Sequence, residues 1–346
     1  MSRTAVVLFN LGGPDGPDAV RPFLFNLFND PAIIGLPNPF RWLLAKFISA
    51  RRAPVAREIY AHIGGKSPLL ELTQAQADAL QSALADVGEI EVFVCMRYWH
   101  PMSAQTARAV KDFAPDRVVL LPLYPQYSTT TSASSLKDWQ RAAAAVGLNA
   151  PSQAVCCYPT ETGWIAAQAK LVKDAFGGDP RARVLFSAHG LPKKVVDAGD
   201  PYQWQVERTA GAVIDKLADE GTAVADWCVC YQSRVGPLEW IGPSTEAELE
   251  RAAVDGVPVI VVPIAFVSEH SETLVELDIE YREEAGKLGV PGYTRVPAVG
   301  TEPDFIEGLA GLVRTRLAAG AEISCGLGDG ARICPAMHAR CPLEHR

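Results

Sequence analysis

Short runs of β-branched and other apolar residues recur along this chain, and each is followed by a segment long enough for an amphipathic helix. The runs read TAVVLFNL, IEVFVCM, RVVLLPL, QAVCCY, RVLFSA, DWCVCY and VPVIVVPIAF. Continuous apolarity, in place of in-and-out alternation, means that both faces of each strand are covered. A parallel sheet with helices on both sides has that property. The expected fold is α/β and doubly wound.

Three of the runs are echoed later in the same order. VVLFNLGGP is matched by RVLFSAHGLP, VFVCMRYWHP by WCVCYQSRVGP, and VVLLPLYPQYSTTTSASSLKDW by VIVVPIAFVSEHSETLVELDIEY. At 346 residues the chain also exceeds the usual size of one core. Together these predict two similar Rossmann-like lobes with parallel sheets and a cleft between them. The expected boundaries are 1–150 for the N-terminal lobe, 151–315 for the C-terminal lobe and 316–346 for a cysteine-bearing tail.

Composition removes several classes of function. A net charge of −8 argues against a nucleic-acid partner held through phosphates, and 48% apolar residues argue against disorder. The glycine clusters NLGGPDG, HIGGKSP and GLGDG match neither G-x-G-x-x-G nor a P-loop, so no nucleotide cofactor is expected. No run reaches the roughly 18 apolar residues that span a bilayer. MSRTAVVLFNLGGP reads as a first strand and not as a signal segment. The expected location is cytoplasmic, either free or peripheral at the inner membrane.

In open α/β sheets ligands sit beyond the carboxyl ends of the strands. Here those ends read Asn10-Leu11-Gly12-Gly13, Arg97-Tyr98-Trp99-His100, Tyr124-Pro125-Gln126-Tyr127-Ser128, Ser187-Ala188-His189-Gly190 and Ser268-Glu269-His270-Ser271-Glu272. Segment 20–54 departs from the regular alternation, with many Phe, Leu and Ile residues closing on Arg51 and Arg52. It reads as a helical hairpin packed on the core, or as an apolar lip that admits a large flat ligand or rests on a bilayer interface.

Two features carry titratable chemistry. His189 ends an apolar run and precedes Gly190, which frees its imidazole to accept a proton or bind a divalent metal. Glu272, Glu276 and Glu280 are four apart, so a helix starting near Ser271 aligns them along one face. Such a stripe is either a solvated surface or, with Leu274, Val275 and Leu277 interleaved, a partly buried acidic path.

In these motifs the sequence resembles the ferrochelatase family, lyases that insert ferrous iron into protoporphyrin IX to make haem. The resemblance runs through LFNLGGP, RRAP, EIYAHIGGKSP, MRYWHP, LPLYPQYS, SAHGLP, CYQSRVGPLEWIGP and PIAFVSEHSETLVELDIEY, up to about residue 315. That chemistry must remove two pyrrole protons, strip water from Fe2+ and bend a flat ring, so it needs a proton acceptor, loosely binding ligands and bulky walls. The resemblance implies that His189 faces Glu272 across the cleft, both meeting Fe2+, with Glu276 continuing the acidic path. It implies Arg51, Arg52 and Ser67 near the propionates. Tyr60, Arg97, Tyr98, Tyr127, Ser128 and Trp240 are then wall residues, with Phe23, Phe25 and Phe28 on the lip. Another chelatase, for coproporphyrin or for cobalt or nickel, and a non-catalytic porphyrin or haem carrier are the alternatives.

Of the eight cysteines, Cys95, Cys156, Cys157, Cys228 and Cys230 lie in strand-like surroundings and read as buried thiols. Cys325, Cys334 and Cys341 crowd into the tail, where a metal is a better account than disulfides. The Cys-Pro steps resemble those of iron–sulfur proteins, and some ferrochelatases hold a [2Fe–2S] cluster on C-terminal cysteines plus one upstream. The animal members place that residue inside the YPQYS stretch, where this chain has Thr129 after Ser128, so the fourth ligand stays open, with Cys156 or Cys157 as the candidate substitute. Zinc on Cys325, Cys334, His338 and Cys341 is the alternative. Monomer and homodimer are both compatible with the sequence.

Overall fold

The structure is a computed structural model, and it describes residues 2–234, 236–320 and 322–343. Parts of the expected tail, Ala321 and the last three residues, lie outside that range. The described residues form nine strands: β1 (Arg3–Asn10), β2 (Glu89–Met96), β3 (Arg117–Pro122), β4 (Ser152–Val155), β5 (Arg183–His189), β6 (Trp227–Gln232), β7 (Val259–Pro263), β8 (Tyr293–Arg295) and β9 (Ile323–Ser324). All seven expected runs contain a strand. The two that were not expected, β8 and β9, are three and two residues long.

The chain forms two compact units. The first comprises 1–124, 128–156 and 312–323, and the second 125–127, 157–311 and 324–346. This division differs from the linear one of 1–150, 151–315 and 316–346. Backbone pairing explains the difference at the C-terminus: β9 extends the first sheet, and Ala154 N–H donates to Glu322 O. The tail from 324 onward belongs to the second unit.

The first unit carries a sheet in the order β2-β1-β3-β4-β9 and the second a sheet in the order β6-β5-β7-β8. β1 pairs in parallel with β2 and β3, β3 with β4, β5 with β6 and β7, and β7 with β8. Val6, Val7, Leu8, Val184, Leu185, Phe186, Val261 and Val262 are all inaccessible, which is why these strands read as unbroken apolar runs. In the first unit Phe9 meets Trp139 edge-on at 5.9 Å within a cluster that includes Val7 and Leu120. In the second, Leu185, Val261, Leu249, Leu277 and Tyr281 share one cluster.

Within each unit the same strand order is used, counting from its own first strand. Leu123 N–H bonds Phe9 O in one unit, and Ile264 N–H bonds Ser187 O in the other. Met96 N–H bonds Pro101 O, and Tyr231 N–H bonds Pro243 O. The repeated letters LF are therefore one residue out of structural register. By pairing, Phe9 corresponds to Ser187, and Leu11 to His189.

Segment 20–54 contains the helix Val20–Phe28 and most of the helix Phe40–Ala61, which pack against each other. Val20, Phe23 and Leu24 are buried with Ala53, Tyr60 and Tyr98. Phe40 (63% exposed), Leu43, Phe47 (65% exposed) and Val55 leave an apolar face uncovered.

Candidate functional site

The carboxyl end of β5 and the helix that follows β7 meet in the second unit. Burial along β5 breaks at its last residue, so the His189 ring leaves the sheet with 40% of its side chain exposed. Gly190 is required next, because a Cβ there would lie 3.0 Å from Gln232 O and 3.3 Å from the Trp240 ring. Tyr202 Oη donates to His189 O at 3.1 Å.

Glu272–Glu280 was expected as ordinary α-helix and is a π-helix, continued by the α-helix Tyr281–Leu288. Its wider winding shows in Tyr281 N–H, which bonds Glu276 O five residues back. Thr273, Val275 and Leu277 turn into the core while Glu272 and Glu276 reach the ends of β5 and β6. Glu280 is exposed.

His189 Nδ1 and Glu272 Oε2 are 3.0 Å apart in a direct hydrogen bond. This corrects the expectation that the two face each other across a cleft. A flat macrocycle between them would need about 7 Å, two van der Waals contacts of about 3.5 Å each. The bonded pair leaves no such gap. His270 Nε2 is 3.5 Å from the same carboxylate oxygen, with its ring 4.7 Å from Phe266.

Charge is unevenly held here. Burial works to lower the His189 pKa, but Glu272's charge and hydrogen bond, and Glu276's charge, raise it to about 8. Burial works to raise Glu272, and the His189 charge and hydrogen bond followed by those of His270 hold it far below the usual carboxylate range. At neutral pH the pair rests as imidazolium and carboxylate. Glu276 is pushed up by burial and then by Glu272's charge, against the hydrogen bonds from Ser233 and Gln232.

Glu276 is thoroughly bonded. Its oxygens accept from Ser233 N–H at 2.7 Å, Ser233 Oγ at 2.5 Å and Gln232 Nε2 at 2.9 Å, and Tyr281 Oη stands 3.4 Å from Oε1. Gln232 Nε2 also reaches Glu272 O at 3.1 Å, and its Oε1 accepts from Ser187 Oγ. Sequence reasoning missed Gln232, Ser233 and Tyr281. The first two lie in the stretch CYQSRVGP that spans the end of β6, where Ser233 takes a positive φ of 61°.

Several expected wall residues have other duties. Tyr98 is buried and its hydroxyl donates to Asp30 Oδ2 at 2.8 Å, the atom that also takes Arg97 Nη2 at 2.8 Å and Ser134 Oγ at 2.5 Å. Arg97 and Tyr98 thus both bond a buried carboxylate, Asp30, which no sequence signal marked. Tyr60 is part of the same core. Ser67 is buried against Gly13, where a Cβ would stand 2.4 Å from the serine. Tyr127 and Ser128 are buried, and Trp240 is half-buried with its Nε1 lacking a partner among the described residues. Arg51 and Arg52 are exposed, with the Arg52 guanidinium 5.8 Å from the Phe28 ring centroid.

The tail brings sulfur together. Cys157 Sγ and Cys325 Sγ are 3.8 Å apart, and Cys334 and Cys341 share a hydrogen bond that makes Cys341 the more easily ionised of the two. Gln205 Nε2 reaches one sulfur of each pair, Cys334 at 3.2 Å and Cys157 at 3.5 Å, while its Oε1 accepts from Tyr127 N–H at 2.7 Å. Arg332 secures the tail by donating to the carbonyls of Cys334, Pro335, His338 and Leu343. His338 stacks obliquely on Trp204, and its Nε2 is buried with no hydrogen-bond partner among the described residues. Among those residues no group of three or more His, Cys, Asp or Glu side chains is closed on one point as a metal ion requires. The sulfurs stand in pairs. A separation of 3.8 Å nonetheless equals the edge of a tetrahedron with metal–sulfur bonds of about 2.3 Å.

Comparison with known proteins bears on this arrangement. The family model described as Ferrochelatase matches residues 3–317. The chain is 57% identical to a ferrochelatase of Caulobacter vibrioides over 318 residues, which is 90% of each chain. It is 54% identical to one of Phenylobacterium zucineum over 351 residues, 99% of this chain and 98% of that one. Among solved structures, SirB from Bacillus subtilis with Fe3+ superposes with a TM-score of 0.53 at 14% identity, covering 92% of this chain and 96% of that chain. The sirohydrochlorin chelatase SirB from Bacillus subtilis subspecies spizizenii in complex with cobalt gives 0.52 at 13% identity, covering 91% and 95%. These two share the fold.

Proposed function

This chain belongs to the ferrochelatase family, and from that premise we infer that it inserts Fe2+ into protoporphyrin IX to form protohaem, with His189, Glu272 and Glu276 as the working groups. The observation that carries the residue assignment is the 3.0 Å bond between His189 Nδ1 and Glu272. In the neutral imidazole that bond keeps the N–H on Nδ1 and leaves Nε2 as the atom that takes a pyrrole proton or meets the metal. Because the resting pair is protonated, arrival of a dication favours the neutral imidazole and expels a proton. Glu276, whose raised pKa suits it to hold a proton, is the acceptor assigned to take it.

The test mixes purified protein with protoporphyrin IX and Fe2+ or Zn2+ under anaerobic, reducing conditions and follows the metalloporphyrin spectrum. His189→Ala should abolish turnover and leave porphyrin binding in place. Turnover at the parent rate would remove His189 from the mechanism. Tight porphyrin binding by the parent without any insertion would point to a carrier, and preference for coproporphyrin, cobalt or nickel to a different chelatase.

For the tail we favour a [2Fe–2S] cluster on Cys157, Cys325, Cys334 and Cys341 over zinc on Cys325, Cys334, His338 and Cys341. Two thiol pairs, with only Cys341 of the four half-buried and the rest buried, fit a group in which each iron takes two protein sulfurs, and Cys157 supplies the fourth ligand that the tail lacks. When bound, such a cluster would supply one-electron chemistry or a cross-link between the tail and residue 157. The visible spectrum of anaerobically purified protein distinguishes a coloured cluster from colourless zinc. Among the described residues no helix is long and apolar enough to cross a membrane. The exposed Phe40, Leu43 and Phe47, with Arg51 and Arg52 beyond them, support peripheral contact with the inner membrane from a cytoplasmic position.

A further inference from the structure

Metal insertion releases protons beside two half-buried carboxylates, Glu272 and Glu276, and the second of these has a bonded route onward. We propose that Tyr281 and Glu246 form that exit, carrying protons from Glu276 to solvent. This rests on the reading of Glu276 as a proton holder. The Tyr281 hydroxyl stands between two carboxylates, 2.9 Å from Glu246 Oε1 and 3.4 Å from Glu276 Oε1. A phenol has one proton to give, so it donates to the nearer carboxylate and presents its lone pairs to the farther one.

That placement suits a hop. A proton on Glu276 Oε1 passes to Tyr281 Oη as the Tyr281 proton passes to Glu246 Oε1, and rotation of the hydroxyl restores the starting state. Bonds made and broken balance, and no charge is left on the phenol. Glu276 Oε2 accepts from Ser233 Oγ and Gln232 Nε2, and Oε1 accepts from Ser233 N–H at 2.7 Å, so Oε1 is the oxygen beside Tyr281 and meets the hop through its second lone pair.

The surroundings give the path a direction. Tyr281 is only 6% exposed and lies in the core cluster with Leu277 and Ala285, so its hydroxyl sees little bulk water. Glu246, in the first turn of the helix Thr245–Asp255, is half-buried and can discharge to solvent. The titratable groups that act on Tyr281 are Glu276, Glu246 and the buried Cys230 thiol. Cys230 gains from burial a pKa far too high to compete for this traffic.

The test uses the full-length protein in single turnovers of Zn2+ insertion, recording metalloporphyrin by absorbance and released protons by a pH indicator. In the parent the two signals should rise together. Tyr281→Phe keeps the ring in its cluster and removes the hop; protons should lag behind the metalloporphyrin, and steady-state kcat should fall about tenfold, below the 10²–10⁴ assigned to direct acid–base groups, with KM for porphyrin unchanged. Glu246→Gln should do the same, and the double variant should be no worse than either single one. Synchronous signals in Tyr281→Phe, a change confined to KM, or multiplying losses in the double variant would each overturn the exit. A parent that binds porphyrin and inserts no metal would instead fail at the function itself and take the exit with it.

Discussion

Replacing Glu272 with Gln keeps the side chain's size and an acceptor beside His189 Nδ1 but removes the charge. With Glu272 present, the His189 pKa stands at about 8 against an ordinary 6.5. That displacement amounts to about 2 kcal/mol in favour of the imidazolium. Since 40% of the histidine side chain is exposed, solvent screening leaves about half of this figure. The burial that opposes protonation persists in the variant, so the His189 pKa should drop by about one unit or more. NMR titration of the His189 ring carbon reads this directly.

Stability should follow the same group. A raised folded pKa gives a contribution that is complete below pH 6.5 and disappears as pH rises through about 8. Glu272, with its depressed pKa, contributes above its ordinary 4.5 and loses that contribution only in strong acid. Urea midpoints measured across this range should therefore slope downward between about pH 6.5 and 8 in the parent and flatten in Glu272→Gln. A His189 midpoint that stays near 8 in the variant would refute the electrostatic account and leave some other group holding the proton.

Two further outcomes test the surrounding structure. Asp30→Ala strips the shared acceptor from Arg97, Tyr98 and Ser134 at a site only 2% exposed, and removal of one partner from a buried ion pair costs about 3–5 kcal/mol; a loss in urea unfolding below about 1 kcal/mol would mean that the network does not anchor the first unit. Gln205→Leu removes the N–H donors to Cys157 and Cys334, so a cluster bound there should become harder to reduce and shift its visible bands; an unchanged potential in the iron-loaded variant would place Gln205 outside its influence.

What could be read from the sequence depended on how far each signal reached. Long strands such as β1 and β7 announce themselves because both faces are buried, whereas β8 and β9, at three and two residues, are too short to carry a period. The spacing of Glu272 and Glu276 singled out the acidic residues, yet it could not reveal the winding, since hydrogen bonding to the fifth residue leaves no mark on apolar periodicity. Asp30 lies among Phe, Leu and Asn residues and looks like a turn; its role arises only when Arg97, Tyr98 and Ser134 arrive from 67 to 104 positions away. Cys157 likewise reads as an inert thiol until the fold sets it beside Cys325, 168 residues on.

The repeat shows why the fold alone did not specify the chemistry. By strand register Leu11 stands where His189 stands, at the first position past equivalent backbone bonds. In the first unit that leucine is half-buried against Val20 and Phe23, so the strand end closes into apolar packing. In the second, the imidazole leaves the sheet and meets a carboxylate. Two sheets with the same order thus differ at their tips by an isobutyl group and an imidazole, and only the latter can move a proton. If the scaffold itself sufficed, both ends would gather titratable side chains. Instead the acidic residues past the β3 end are absent, as Ser128 and Thr131 replace Glu269 and Glu272 at the corresponding offsets, and the proton traffic proposed above would be confined to one half of a repeated frame.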